Sequence, residues 1–127
     1  MRTIKLKHTE FIENDNFLYI KCHKNSSIDS KTELLDKIVE LIREGEKDKF
    51  LFDIREPLSG MSDKDHLICS QLLSHRSADL NKSKIAFFAN PDQSISFLSD
   101  AYSSGFTSFI EIDNVHDASI WFSNQVT

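Results

Sequence analysis

Three charged residues accompany the most apolar stretch of the chain. Asp53 and Arg55 belong to the segment KFLFDIRE, which ends on Glu56 and continues into a turn-like segment with Pro57 and Gly60. Open α/β folds bind their ligands at the carboxyl ends of strands, so this position is suited to a site. A carboxylate within an apolar run is costly unless it is paired. Asp53 is therefore either part of a ligand site or the partner of Arg55 or of a loop amide, and we favour the structural role.

Metal-ligand and nucleophile patterns are weak in this sequence. None of the five histidines is paired at helical spacing with a third ligand nearby, although zinc sites usually have such spacing. Asp63, Asp65 and His66 are better explained as a helix start in which the acids complement the dipole and His66 faces water. Cys22 and Cys69 each lie among apolar residues, which is typical of buried thiols. We expect no metal site, no catalytic nucleophile and no enzymatic activity.

Composition excludes several classes of partner. The chain has only three glycines, too few for the G-x-G-x-x-G or Walker patterns of nucleotide-binding loops. Its formal net charge is −5 and its basic residues are scattered, whereas nucleic-acid binding requires a basic face. No apolar run approaches the roughly 18 residues of a membrane span, and the amino terminus lacks a signal-peptide pattern. We expect a cytoplasmic protein without a cofactor, nucleic acid or membrane insertion.

The elements that must position these residues have clear start and stop signals. Two alternating stretches around the turn residues ENDN predict an amino-terminal β-hairpin. An apolar stripe at helical spacing follows, with Ser30 as the expected N-cap and Gly45 as the end. The runs KFLFDI and SKIAFFAN are apolar on both faces, as buried strands are. Ser62, Asn90 and Asn114 are expected to cap the three later helices.

The resulting order of elements is β-β-α-β-α-β-α-β-α in a single domain over residues 1–127. Strands and helices alternate at close spacing, which favours right-handed crossovers between parallel strands. The sequence therefore predicts an α/β fold, in which helices flank one mixed, mostly parallel sheet.

Two short motifs resemble those of a known family. Asp53-Ile54-Arg55 closes a strand before the second helix, and Asn114 to Phe122, with Ala118 and Trp121, closes the chain. Together with the hairpin and the first helix, they resemble the STAS/SEC14-type domains, the SpoIIAA-like proteins, over nearly the whole chain. The resemblance implies a mixed sheet flanked by helices and no cofactor.

The resemblance also implies a function. Relatives include antagonists of anti-sigma factors, which are switched by phosphorylation of a serine at the start of the second helix. The nearest match here is Ser59, before Gly60, although the acid that precedes the family's serine is missing. Another branch of the family binds lipids with additional helices that a chain of 127 residues lacks.

Two hypotheses follow. The first is a non-catalytic regulatory or protein-interaction module that contacts a protein partner or a second copy through Arg55, Glu56, Ser59 and Ser62, with Ser59 as the candidate phosphorylation site. The second is a carrier of a small apolar ligand, or an enzyme acting on one, with a pocket between the sheet and the second and third helices. Aromatic residues at such spacing usually form core; the expected pocket lining is Phe87, Phe88, Phe97 and Tyr102.

Overall fold

The computed structural model describes residues 3–6, 9–14, 16–23, 28–93 and 95–123 of the chain. Within these ranges, six strands form one sheet in the same order as they occur along the chain. The first three strands pair antiparallel and the last four pair parallel. The predicted α/β fold with a mixed, mostly parallel sheet is confirmed. The strands are β1 (Thr3–Leu6), β2 (Thr9–Glu13), β3 (Leu18–Cys22), β4 (Lys49–Asp53), β5 (Lys84–Phe88) and β6 (Phe109–Ile112).

Helices connect the parallel strands and close the described part of the chain. They are α1 (Ile28–Arg43), α2 (Arg55–Leu58), α3 (Asp63–His75), α4 (Ser77–Leu80), α5 (Phe97–Ser103) and α6 (Val115–Ser123). Single-turn helices such as α2 and α4 are too short to produce a helical period in the sequence, which is why they were not predicted. Among the helices of the described ranges, none has both the length and the apolar character needed to cross a bilayer.

The helices cover the two faces of the sheet unequally. Side chains of β4 alternate, so Phe50 and Phe52 pack on the face that α1, α3 and α5 cover. Leu51 points to the opposite face and packs with Ala118 and Phe122 of α6. The strands in the middle of the sheet are therefore apolar on both sides, as their sequences predict.

Three of the predicted helix signals are present. Gly45 adopts a φ of +71°, and the amide of Glu46 donates to the carbonyl of Leu41 at 3.0 Å, which ends α1 in a left-handed turn. Ser62 and Asp65 form a reciprocal capping box at the start of α3. Asn114 accepts a hydrogen bond from the amide of Asp117 at 2.9 Å and so caps α6.

Three other predictions about the elements are wrong. The first predicted strand is divided into β1 and β2, because alternation alone does not distinguish one long strand from two antiparallel ones. Ser30 lies inside α1, which begins at Ile28. Asn90 does not cap a helix. Residues 90–93 form a turn in which the amide of Gln93 donates to the carbonyl of Asn90, and α5 begins only at Phe97.

Two residues of α6 provide a test of the smaller core. Phe122 is fully buried while Ile120 is 54% exposed. Replacing Phe122 with Ala should lower the free energy of unfolding by about 3–5 kcal/mol, because burial is lost and a cavity remains. Ile120→Ala on the same helix should change it by no more than about 0.5 kcal/mol. Urea unfolding followed by circular dichroism measures both values, and equal losses would contradict the assignment of the packed face.

Candidate functional site

The carboxylate of Asp53 is the centre of a hydrogen-bonded group at the carboxyl edge of the sheet. The residue is only 3% exposed. The Tyr19 hydroxyl donates to Oδ2 at 2.6 Å. Arg55 donates from Nε to Oδ1 at 2.9 Å and from Nη2 to Oδ2 at 2.8 Å, and its backbone amide reaches Oδ1 at 3.3 Å. Asp53 thus has both structural partners that the sequence suggested, the loop amide and Arg55.

The electrostatics of this group favour fixed charges. Burial alone would raise the pKa of Asp53, but hydrogen bonds from Arg55 and Tyr19 outweigh burial and lower the pKa below its ordinary value. Burial, followed by the hydrogen bond to Asp53, raises the pKa of Tyr19 to about 12. The Arg55 guanidinium also stacks over the Phe88 ring, 4.0 Å from its centroid. Near neutral pH, Asp53 therefore remains ionised and its proton-accepting positions are occupied, which is unsuitable for a general acid or base.

Helix α2 projects from this edge and is fastened to it by polar contacts. None of its residues is buried. Gln93 Nε2 donates to the carbonyl of Arg55 at 2.9 Å, and the Glu56 carboxylate lies 3.0 Å from His23 Nδ1. The amide of Ile54, just before the helix, donates to the carbonyl of Phe88 at 3.1 Å. Contacts from the ends of β3 and β5 and from the turn at Gln93 therefore determine where α2 lies.

The four residues predicted to bind a partner lie on α2 and the segment that follows it. We call Arg55, Glu56, Ser59 and Ser62 the α2 surface. Glu56, Ser59 and Ser62 are exposed, and the Arg55 side chain is 40% exposed. Ser59 follows α2 directly, and its hydroxyl donates to the carbonyl of Glu56 at 2.8 Å. Arg55 and Ser62 also have structural roles, as the partner of Asp53 and as the N-cap of α3.

A small cleft lies on the other side of the sheet edge, between α1, α3 and the segment that joins α2 to α3. Its volume is about 90 Å³, and most of its lining is apolar. Three sulfur-containing residues, Cys22, Met61 and Cys69, line it together with Lys31 from the first turns of α1. The cleft adjoins the 55–62 segment. Its lining includes residues of the sheet and of the second and third predicted helices, which are α3 and α5, and also residues of α1.

Only two of the four aromatic residues predicted for a pocket line this cleft. Phe87 and Phe97 do. Phe88 points to the opposite face of the sheet, where it packs in the smaller core. Tyr102 is 59% exposed and lies against Phe109, with a ring separation of 6.2 Å. Successive residues of a strand face opposite sides, so Phe87 and Phe88 could not share one pocket.

The two thiols of the cleft are in an apolar setting that disfavours their charged form. Burial raises the pKa of Cys22 to about 12, and the charges of Asp53 and Cys69 add to the shift. Burial likewise raises the pKa of Cys69 to about 11. Lys31 acts in the opposite direction on both. These thiols are therefore poor nucleophiles, as expected for buried cysteines.

The metal prediction concerned the acids and His66 at the start of α3. No group of three or more His, Cys, Asp or Glu side chains arranged to hold a metal ion occurs in the part of the chain that the structure describes. His66 is half-buried and so faces water only in part. Its ring lies 5.7 Å from that of Phe97, and its Nδ1 atom is buried without a hydrogen-bond partner among the described residues.

Two acids at opposite ends of β4 allow a test of the Asp53 group: Asp53 is the last residue of the strand, and Asp48 comes just before it. Asp53→Asn should lower the free energy of unfolding by about 3 kcal/mol, the lower end of the range for a broken buried pair, because water partly solvates Arg55. Asp48→Asn, at the exposed end just before the same strand, should change it by no more than about 0.5 kcal/mol.

The stabilising effect of Asp53 should depend on pH. Because folding lowers the pKa of Asp53, its stabilising effect is complete above the unfolded value of about 4 and is lost as the pH falls through the folded value. The difference between the wild type and Asp53→Asn should be constant from pH 7 to 5 and shrink below about pH 4. Urea unfolding at a series of pH values measures this, and a difference that stays constant down to pH 2 would refute it.

Comparison of the chain with protein-family models and with curated proteins found no match. The resemblance to STAS domains therefore depends on the sequence itself, that is, on the hairpin, the first helix and the motifs at residues 53–55 and 114–122. Any function must be argued from the α2 surface and the cleft themselves.

Proposed function

We propose that the protein is a non-catalytic, cytoplasmic interaction module of the STAS type, and that the α2 surface contacts a protein partner or a second copy. The observation that carries this proposal is that no residue of α2 is fully buried, although Leu58 packs at the margin of the core, and that polar contacts from His23, Phe88 and Gln93 nevertheless hold the helix and its first residues in place. A segment that is exposed and already ordered loses little conformational freedom when it binds, which favours affinity.

The Asp53 group supports the non-catalytic part of the proposal. Tyr19 and Arg55 occupy the carboxylate of Asp53, so the most suggestive charged residue of the sequence is used to support α2. The exposed parts of the α2 surface are Glu56, Ser59, Ser62 and part of the Arg55 side chain, and these polar groups suit hydrogen bonding to another protein. The proposed role of Asp53 is therefore to hold α2, and with it the α2 surface, in position.

Ser59 is the proposed point of regulation on this surface. Its hydroxyl lies at an exposed position beside Glu56. A phosphate there would add about two negative charges at neutral pH. The added charge would repel an acidic partner and strengthen contact with a basic one, so modification would switch the partner's affinity.

The test uses Glu56 and Ser59, because Arg55 is the partner of the buried Asp53 and Ser62 caps α3. The Glu56 contact to His23 joins two partly exposed side chains, so its loss should cost little stability. The variant Glu56→Lys, Ser59→Tyr alters the charge and shape of the α2 surface. Glu46 and Ser104 are also exposed and precede β4 and β6 at the opposite edge. The matched control is therefore Glu46→Lys, Ser104→Tyr.

Sedimentation velocity measures self-association, and quantitative affinity capture from the native host measures partner binding. We expect the α2-surface variant to bind a second copy or the captured partner with an affinity at least tenfold lower, which is about 1.4 kcal/mol. The control variant should bind like the wild type. Equal binding by both variants, or equal loss in both, would contradict the proposal.

A second candidate function is binding of a small apolar molecule, and the cleft beside Pro57 and Met61 favours it. Its lining includes Phe87 and Phe97 from the predicted pocket. A volume of about 90 Å³ is below the roughly 300 Å³ at which ligand pockets usually begin. The cleft therefore suits a molecule of few heavy atoms or the end of a longer chain.

Native mass spectrometry of freshly purified protein tests this second function. If the cleft carries an apolar ligand, the wild type should show added mass that disappears in Leu73→Phe, which fills the lining with a larger side chain. Ile120→Phe, on the exposed side of α6, should retain the added mass. A wild-type spectrum with the mass of the polypeptide alone would exclude a tightly held ligand.

A further inference from the structure

We infer that the cleft is a binding site for one soft monovalent metal ion, copper(I), held by the sulfur atoms of Cys22, Cys69 and Met61. The site is separate from the α2 surface, and the inference does not depend on the proposed interaction function. The chain contains two cysteines and two methionines, and three of these four sulfur-containing residues line one cleft of about 90 Å³.

Two of the three sulfur-containing residues are near each other in the chain, and the third, Cys22, is distant from both. Cys22 is the last residue of β3, Cys69 lies in α3, and Met61 belongs to the segment between α2 and α3. All three pack at the margin of the larger core. Convergence of two thiols and a thioether on so small a space provides the donor set that copper(I) prefers, since soft sulfur ligands select it over harder ions.

The surroundings disfavour the common alternative, zinc. Structural zinc sites require four ligands, usually cysteine and histidine. The described residues provide no third His, Cys, Asp or Glu that would complete such a group. Copper(I), by contrast, is satisfied by two or three sulfur atoms. The cleft is also too small for the ligands of ordinary pockets, whereas a single ion fits it.

The binding step balances in protons and charge. The S–H bonds of Cys22 and Cys69 break, two copper–sulfur bonds form, and two protons pass to solvent. The sulfur of Met61 donates a lone pair without losing a proton, and copper remains in the +1 state. Two thiolates and one copper(I) ion have a net charge of −1, and the Lys31 side chain, which lines the same cleft, offsets that charge.

The test is a titration of the reduced protein under anaerobic conditions with copper(I) supplied as its bicinchoninate complex. The wild type should withdraw one ion per chain from the competitor. Cys22→Ser and Cys69→Ser should each lose this uptake. Met61→Leu, which keeps the apolar volume, should retain the ion with one fewer sulfur neighbour in X-ray absorption. Circular dichroism establishes that each variant is folded.

Zinc(II), tested in parallel against a chelator of comparable strength, should not be retained. A variant with both cysteines replaced by alanine provides a second route if one serine variant fails to fold. Four outcomes would each overturn the inference. The wild type could fail to withdraw copper(I), or the thiol-free variant could take up as much as the wild type. The ion could also be shared between two chains, or the absorption spectrum could show nitrogen and oxygen neighbours.

Discussion

The buried carboxylate of Asp53 is the interaction on which the carboxyl edge of the sheet depends. A charge in that position would be costly if it were unpaired, and here it is satisfied by the phenol of Tyr19 from β3 and the guanidinium of Arg55 from α2. Because Arg55 follows so soon after β4, the chain must turn at once to reach the carboxylate. The single-turn helix α2 makes this change of direction. Its position also fixes the segment that leads to Ser62, the N-cap of α3.

The Arg55 side chain also covers an otherwise open part of the sheet. Helix α6 packs on the face to which Asp53 points, where Ala118 and Phe122 contact the smaller core. The guanidinium lies over the Phe88 ring, and Phe88 is only 7% exposed as a result. One cation thus neutralises a buried acid and shields an aromatic side chain, a combination for which the planar head of arginine is well suited.

The end of β4 contributes to two different environments because successive residues face opposite sides. Asp53 enters the polar group below α2, whereas Phe52 and Ile54 line the sulfur-rich cleft on the other face. The candidate interaction surface and the candidate metal site are therefore neighbours that share a strand and have separate residues. Because the residues differ, we expect substitutions at Glu56 or Ser59 to leave the cleft intact and substitutions at the thiols to leave the α2 surface intact.

Local patterns in the sequence determined the fold class and several of its boundaries. The alternation of strand and helix, the end of α1 at Gly45, and the caps at Ser62 and Asn114 depend on interactions within one turn or one period, which adjacent residues specify by themselves. Predictions from such local patterns were wrong where a residue distant in the chain supplied a competing hydrogen bond. Gln93 turns back on Asn90 and donates to Arg55, 38 residues away, so the expected helix start became a turn.

The site was accessible to sequence reasoning only in part. An acid in an apolar run already required a partner, and Arg55 was near enough to be named. Its second partner, Tyr19, is 34 residues away, and nothing in its own surroundings indicates that role. The gathering of Cys22, Met61 and Cys69 at one cleft was decided by tertiary structure alone, because the pairing of β3 with β4 and the packing of α3 on the sheet bring together segments whose local sequences are independent.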